Sequence, residues 1–473
     1  MSRSDVVGAV TARRSALADA EPRPFWTDRA GAPAPRPPLT GQLSADLVII
    51  GGGFTGLWAA IEARTRFPEW SVVLLEGRGI GQGASTRNGG FISASLTHGL
   101  AHGQALWPGE METLVRLGRE NLAQIQAFCS REGIEADLRI CGKTTVAVTE
   151  HQVANLADSV DLSRQFGEDV KWLDADEVRA DVASPTYRAG LRVLGSSGLV
   201  DPARLAWGLA CAASVRGVRL FENSSVSGVS REGRLLRVRT SEGQVRTPRV
   251  LLATNAYPPL LRRLKAWVLP IYDHVLVTEP LSAEQWRSIG WNDRQGLTDA
   301  GNQFHYYRPT EDGRILWGGY DAIYYFGNDT SPAREQRLAS HQLLADHFFT
   351  TFPQLEGLRF THRWAGLIDS TSRFTPAFGL AKGGGLAYAV GYTGLGVGAS
   401  RFGARVALDL LSGEPTERTQ LQMVRHRPVP FPPEPLRYPV VQLTRSALAR
   451  EDRTGRRGAW LSLLDRFKVG FNS

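Results

Sequence analysis

The stretch ADLVIIGGGFTGLWAAIEARTRF, residues 45–67, constrains this chain more than any other. DLVII is a continuous apolar run of strand length, the pattern of a strand buried on both faces of a parallel sheet. It runs into Gly51, Gly53 and Gly56, and a helical stretch from about Gly56 to Phe67 follows and stops before Pro68. SVVLLE, residues 71–76, is the next buried strand, so the segment reads as a βαβ unit with a right-handed crossover. In such a corner the first glycine permits a tight turn, the second lets backbone approach a pyrophosphate, and the third allows close helix-to-strand packing. Glu76 ends the second strand 20 residues after Gly56, placed to accept hydrogen bonds from ribose hydroxyls. Unpaired N–H groups and the positive end of the helix dipole complete an anion site. The corner predicts dinucleotide binding.

A chain of 473 residues can bury a large core in about two or three domains. Its longest apolar stretch is the opening one, interrupted by Asp46, Glu62 and glycines, so no membrane span is expected. TARRSALADA carries two adjacent arginines with no apolar region behind them, which argues against a secretory or twin-arginine signal. Cys129, Cys141 and Cys211 are odd in number, far apart and without metal spacing. Neither a disulfide framework nor a metal site is expected, and a cytoplasmic location fits best. The net charge of +8 sits mostly in the tail, where residues 421–473 hold ten Arg/Lys against four Asp/Glu. That segment is either a solvated basic tail or a docking patch for an acidic partner. It has no zinc, RNA-recognition or helix-turn-helix pattern, so nucleic acid is not an expected partner.

Residues 1–40, rich in Pro, Ala and Arg, read as an extended lead-in with PFWTD as an anchoring aromatic motif. VDPARLAWGLACAASVRG has helical periodicity behind an Asp201 cap and Pro202. Residues 218–257 alternate apolar and polar side chains around REG and SEG turns, as a meander does. Aromatic, β-branched pieces follow in YDHVLVTEPL, QFHYYRP and RILWGGY. GYTGLGVGASRFGARVALDLLSG is a glycine-rich turn feeding an amphipathic helix that ends at Gly413.

Several of these stretches together, VIIGGGFTGLWAA, LLEGRGIGQGASTRNGG, GLVDPARLAWGLA, VLLATNAY, RWAGLIDSTSRFTPAFG and YAVGYTGLGVGASRFGARVA, carry a resemblance. From residue 25 to about 413 the chain resembles the D-amino-acid-oxidase superfamily of FAD-dependent oxidoreductases, and within it the gamma-glutamylputrescine oxidoreductase-like amine oxidases. The resemblance implies an α/β (α+β) architecture: a Rossmann-like FAD-binding domain and a substrate domain on a largely antiparallel sheet. The first would take residues 41–105, 186–262 and 360–420, and the second 106–185 and 263–359, leaving the basic tail from 421. Gly51, Gly53, Gly56 and Glu76 would hold the ADP half of a non-covalent FAD. Ala84, Ser85, Asn88, Gly89 and Gly90 would line the path to the flavin, Val226 would meet the adenine, and Thr254 with Asn255 would close the matching strand. Backbone N–H groups of Gly394, Leu395, Gly396 and Val397 would face the charge that reduced flavin gathers, or else form a packing turn.

The implied reaction is hydride transfer from the carbon beside a nitrogen to flavin N5, leaving an imine. The donor amine must be neutral, so the site should be apolar and desolvating, and O2 or another acceptor would reoxidise the flavin. Tyr307, Trp317 and Trp364 are candidates to line the chamber, with core packing as their alternative. His305 is either an acid/base group or a structural donor. Two departures bear on substrate. Ile368 stands where glycine and D-amino-acid oxidases carry a carboxylate-binding arginine, and Trp317 aligns, within a residue, with the oxygen-activating lysine of monomeric sarcosine oxidases. No cysteine lies beyond Cys211 to attach a flavin there. A primary or secondary amine, such as a polyamine conjugate, is the favoured substrate. The alternatives are an amino acid, N-methyl amino acid or aminophosphonate held by Arg308 or Arg373, and a flavoprotein recruited to an acidic partner through its tail.

Overall fold

In the computed structural model, which describes Arg13 and residues 15–29 and 31–470, two large sheets organise the chain. The first has six strands in the order Ala377–Ala381, Leu386–Val390, Arg249–Leu252, Leu47–Ile50, Val72–Leu75, Arg219–Phe221. All neighbours are parallel except Ala377–Ala381. Leu47–Ile50 and Val72–Leu75 are buried throughout because both faces are covered. On one side lie helices Phe54–Arg66, Pro202–Val215 and Gly396–Ser412. A four-stranded sheet formed by Gly41–Ser44 and the expected meander packs on the other. Asp201 caps its helix by accepting from Ala203 N and Arg204 N at 3.0 Å, and Gly413 ends the last helix in a left-handed turn at φ +75°.

The second sheet has eight strands in the order Phe360–Ser370, Leu269–Thr278, Ile315–Gly319, His305–Pro309, Gly296–Asp299, Lys143–Ala147, Ala189–Leu194, Asp169–Leu173. It is antiparallel except where Gly296–Asp299 meets Lys143–Ala147. The α/β class with a Rossmann-like sheet and a second, largely antiparallel sheet is therefore the fold of the chain. Two boundaries differ from expectation. Ala189–Leu194 and Phe360–Ser370, expected in the first domain, are hydrogen-bonded into the second sheet, one to both Lys143–Ala147 and Asp169–Leu173, the other along Leu269–Thr278. We propose dividing the domains at about residues 195 and 371 instead.

Both ends of the chain are more engaged than their composition suggests. Residues 1–12, Arg14 and Ala30 of the lead and residues 471–473 of the tail lie outside the described residues. Within the lead, Phe25 and Trp26 are buried, and Trp26 Nε1 donates to the Asn88 carbonyl at 2.9 Å. The tail is helical over Arg437–Thr454 and Ala459–Arg466, with Leu448 and Leu461 buried. Arg445 pairs with Asp321 at 2.9 Å, and Arg457 with Glu451 at 2.9 Å and Asp465 at 2.6 Å. No helix among the described residues is long and apolar enough to cross a membrane.

Candidate active site

The first glycine corner opens onto a cavity of about 1420 Å³ that runs between the two sheets. Gly51 has φ +112°, and a Cβ there would drive into the Ala253 carbonyl oxygen. A Cβ on Gly56 would strike the Gly51 carbonyl, so the helix can approach the strand only with glycine at that place. On Gly53 it would lie 2.8 Å from Ser85 Oγ, which accepts the Phe54 N–H at 2.9 Å. Glu76 accepts from Gly52 N at 2.6 Å and Arg78 N at 2.9 Å. Its burial raises its pKa against those stabilising bonds.

Gly51, Gly53, Glu76, Ala84, Ser85, Asn88, Gly89, Val226, Thr254 and Asn255 all lie on the cavity wall. Gly56 and Gly90 stand behind it. Gly90, at φ +73°, packs against the Val200 carbonyl and Arg308. Asn88 staples the intervening loop, donating to the carbonyls of Ala84 at 3.0 Å and Ser85 at 2.9 Å and accepting from Gly90 N at 2.8 Å. The second glycine corner reaches the same cavity with Gly394, Leu395, Gly396 and Val397. Gly394 turns at φ +92° and Gly396 begins the helix, so the helix N-terminus faces the wall. Asp369 braces the corner by accepting from the backbone N–H groups of Gly391 and Tyr392 (3.1 Å to the latter), and burial pushes its carboxyl up to about 7.

Strand alternation decides what the eight-stranded sheet presents to the cavity. Tyr306 pairs with Thr298 on one side and Gly318 on the other, and Thr298 pairs with Thr145, so Thr145, Thr298 and Tyr306 share the cavity face. Tyr307 and Trp317, one residue along, point to the opposite face. There they pack with Phe348 and Phe352 of the covering layer, and Tyr307 shares a 2.7 Å hydrogen bond with Tyr187. Neither lines the chamber. Trp364 is on the cavity side of its strand but fully buried, its indole N–H donating to the Arg87 carbonyl at 2.9 Å. His305 is held by Asp299, stacks on Trp317 and Tyr320, and shares a 2.9 Å hydrogen bond with His347. His305 itself does not line the cavity, although two of its partners, Asp299 and Tyr320, do. Arg308 lies off the cavity wall as well: buried, it donates to the carbonyls of Val200 at 2.8 Å and Gly90 at 3.2 Å, because its strand face closes on the Gly90 turn. Arg373, half-buried, lies outside the wall while its neighbours Ser372 and Phe374 line it.

The wall contains functional groups the sequence reading passed over. Asp273 accepts a hydrogen bond from Tyr306 Oη, and burial pushes its carboxyl up to about 7. Lys143, Tyr320 and His98 also face the cavity, and burial takes His98 down to about 4. Tail residues Arg445, Leu448, Leu464 and Phe467 complete the boundary. Among the described residues no cluster of His, Cys, Asp and Glu is arranged to hold a metal ion.

A side-chain-free cradle at two glycine corners, a carboxylate at the end of the second strand and a helix N-terminus beyond fit an extended flavin dinucleotide. The profile of the FAD dependent oxidoreductase family matches residues 46–410, and the chain belongs to that family of FAD-dependent enzymes. Among curated relatives, it is 31% identical over 442 residues to gamma-glutamylputrescine oxidoreductase of Escherichia coli (strain K12), covering 91% of this chain and 98% of the relative. Among solved structures, glycine oxidase from Geobacillus kaustophilus superposes with a TM-score of 0.68 at 20% identity, covering 82% of this chain and all of that one. L-proline dehydrogenase from P. horikoshii gives 0.66 at 21% identity, covering 80% and 96%. These two likenesses report the shared fold.

Proposed function

We propose that the protein oxidises the C–N bond of a primary or secondary amine to an imine, with a polyamine conjugate as the favoured substrate. The observation that supports this most directly is the continuous cavity. It joins the glycine corner and Glu76 to a chamber bounded by Tyr306, Asp273 and the 394–397 turn. The similarity to a relative named for gamma-glutamylputrescine favours the polyamine conjugate.

Gly51, Gly53 and Glu76 would hold the dinucleotide end of FAD, and Gly394 to Val397 its flavin end. When bound, FAD supplies the two-electron acceptor for a carbon beside nitrogen. The chain's own contribution is to prepare the amine. A largely apolar chamber disfavours the substrate ammonium, and Asp273, poised near neutrality, can take the proton that the ammonium loses. Tyr306 fixes the orientation of that carboxylate through its hydroxyl. The N-terminus of the 396–412 helix offers backbone N–H groups to negative charge on the flavin side. None of the three cysteines lies on the wall.

The α-amino-acid alternative is weakened by Ile368 and by the structural engagement of Arg308. Recruitment through the tail is weakened because its helices form part of the cavity wall. The test is an anaerobic screen of amines, amino acids and aminophosphonates against the flavin-loaded enzyme, followed by air. Bleaching of flavin absorbance by polyamine conjugates supports the reading. Bleaching by α-amino acids alone would replace it, and the rate of recovery in air reports whether O2 serves as acceptor.

A further inference from the structure

The amine reading gives no part to Lys143, a cation that faces the cavity. Lys143 pairs with Gly296, and the next positions on the same face are Thr145 and Thr298, followed across the sheet by Tyr306. Its ammonium therefore belongs to the wall that carries Tyr306. Gly296 leaves the space beside it without a side chain, and Phe91 moves into that space, in edge contact with Tyr306 at 5.9 Å. The Lys143 side chain makes no hydrogen bond or ion pair among the described residues. Burial pushes its ammonium below the ordinary lysine value, with no carboxylate acting in opposition. Its charge is felt instead by His98, another basic group, which it pushes further down. Two other cations of this chain do meet a carboxylate: Arg66 pairs with Asp409 at 2.8 Å, and the buried Arg401 with Glu62 at 2.6 Å. The Lys143 ammonium faces the cavity, and among the described residues no carboxylate is set against it.

We propose that Lys143 binds a carboxylate carried by the amine substrate, remote from the nitrogen that is oxidised. This rests on the amine-oxidation reading and specifies its substrate class. The strand of Lys143 is two positions from that of Tyr306 in the sheet, a separation of roughly 10 Å between backbones. An α-amino acid, with its amine and carboxylate on one carbon, cannot bridge from Lys143 to the Tyr306–Asp273 pair. An ω-amino acid, or a diamine acylated by a dicarboxylic acid, can do so in an extended conformation. Thr145, two residues along the strand of Lys143, and Thr298, on the intervening strand, have hydroxyls 3.3 Å apart and offer hydrogen bonds to an amide along the way.

The test compares two conjugates of putrescine of equal chain length, glutaryl-capped with a terminal carboxylate and pentanoyl-capped with a methyl group in its place, with the flavin-loaded wild type, Lys143→Met and Lys143→Arg. Anaerobic titration gives Kd and the limiting rate of flavin reduction, and calorimetry with glutarate alone gives binding without turnover. The proposal expects Lys143→Met to weaken the glutaryl conjugate roughly 10- to 100-fold more than the pentanoyl one, the size of a charge-assisted hydrogen bond. Lys143→Arg should restore most of the difference, and glutarate should bind the wild type and bind Lys143→Met weakly. Equal weakening of both conjugates, or glutarate binding that is missing in the wild type or unchanged in Lys143→Met, overturns it. Failure of every amine to reduce the wild-type flavin would instead overturn the amine reading, while glutarate binding still reports on Lys143.

Discussion

Tyr306 donates its hydroxyl hydrogen to Asp273 across the cavity face of the eight-stranded sheet, joining side chains from strands separated by Ile315–Gly319. The reach is possible because Gly318 lies between them: a Cβ there would come within 2.7 Å of the Tyr306 ring. Burial raises the carboxyl, while the phenol and the backbone near Gly319 and His274 hold it back from rising further. The result is a carboxylate near neutrality on the wall of a flavin enzyme's cavity.

If Asp273 takes the substrate proton, Asp273→Asn should slow flavin reduction by roughly 10²- to 10⁴-fold, the usual range for a positioned acid or base. Tyr306→Phe should cost less, because the carboxylate remains but loses its orientation. Stopped-flow reduction against pH provides the check. The wild-type rate should rise as pH passes about 7, where Asp273 ionises, and this limb should vanish in Asp273→Asn.

The same carboxyl makes folding depend on pH. Its folded-state pKa is about 7 against 3.8 for the ordinary group. Between those values the folded chain keeps a proton that the unfolded chain has released. Stability therefore falls as pH rises through this window, at about 1.4 kcal/mol per unit of the shift. Asp369 acts in the same direction, also with a value of about 7. Denaturant melts between pH 4 and 8 should show a shallower decline in Asp273→Asn than in the wild type.

Legibility of the site followed backbone demands more closely than side-chain demands. Gly51, Gly56 and Glu76 can be read from sequence because a turn, a close approach and a strand end each restrict which residue is tolerated there. HYYRP identifies a strand, but its period of two leaves open which tyrosine faces inward, and the structure selects Tyr306 over Tyr307. Asp273 is hidden for another reason: it sits inside an apolar strand, and the partner that gives it meaning is 33 residues away. Lys143 and Arg308 show the limit of reading by charge. The arginine that looked like an anchor is engaged by three backbone carbonyls and Asp137, while the lysine in a polar-looking strand faces the cavity. The tail's arginines suggested solvent, while burial of Leu448 and Leu461 depends on surfaces far away in sequence.

The placement of Trp317 separates core from chamber. Fully buried and packed against Phe348 and Phe352, it should cost about 3–5 kcal/mol as Trp317→Ala. Trp317→Phe should keep the fold with a smaller loss and leave flavin reduction near the wild-type rate. Chemical denaturation paired with anaerobic reduction distinguishes this from a chamber role, for which the rate would fall while stability held.

The first corner should be intolerant of a single methyl group. Gly51→Ala places a Cβ against the Ala253 carbonyl on a backbone at φ +112°, so either the turn or the neighbouring strand must move. FAD content after purification should drop sharply, and added FAD should bind at least tenfold more weakly, on the order of 1.4 kcal/mol or more. Gly384→Ala is the control for positive φ alone, at +89° with open space around it and far from the wall; it should retain its flavin.

The tail offers the remaining test, because its two readings predict opposite outcomes. Asp452 accepts from the backbone N–H groups of Asn302 at 2.9 Å and Gln303 at 2.8 Å, pinning the tail helix to a loop that itself lines the cavity. Arg445 reaches the buried Asp321, which also accepts from Ser340 at 2.6 Å. A chain ending after Pro433 would lose these ties together with Leu448 and Leu464, opening the chamber to water. Exclusion of water is what lets an apolar wall act on an ammonium. Truncation should therefore preserve FAD binding, whose glycine corners are untouched, while reducing the rate of flavin reduction by roughly tenfold or more. Asp452→Ala, which cuts the two backbone ties and the bond from the Asn302 side-chain amide, should give a smaller change in the same direction. A tail that served only to recruit an acidic partner would leave reduction of the isolated enzyme unchanged in both variants.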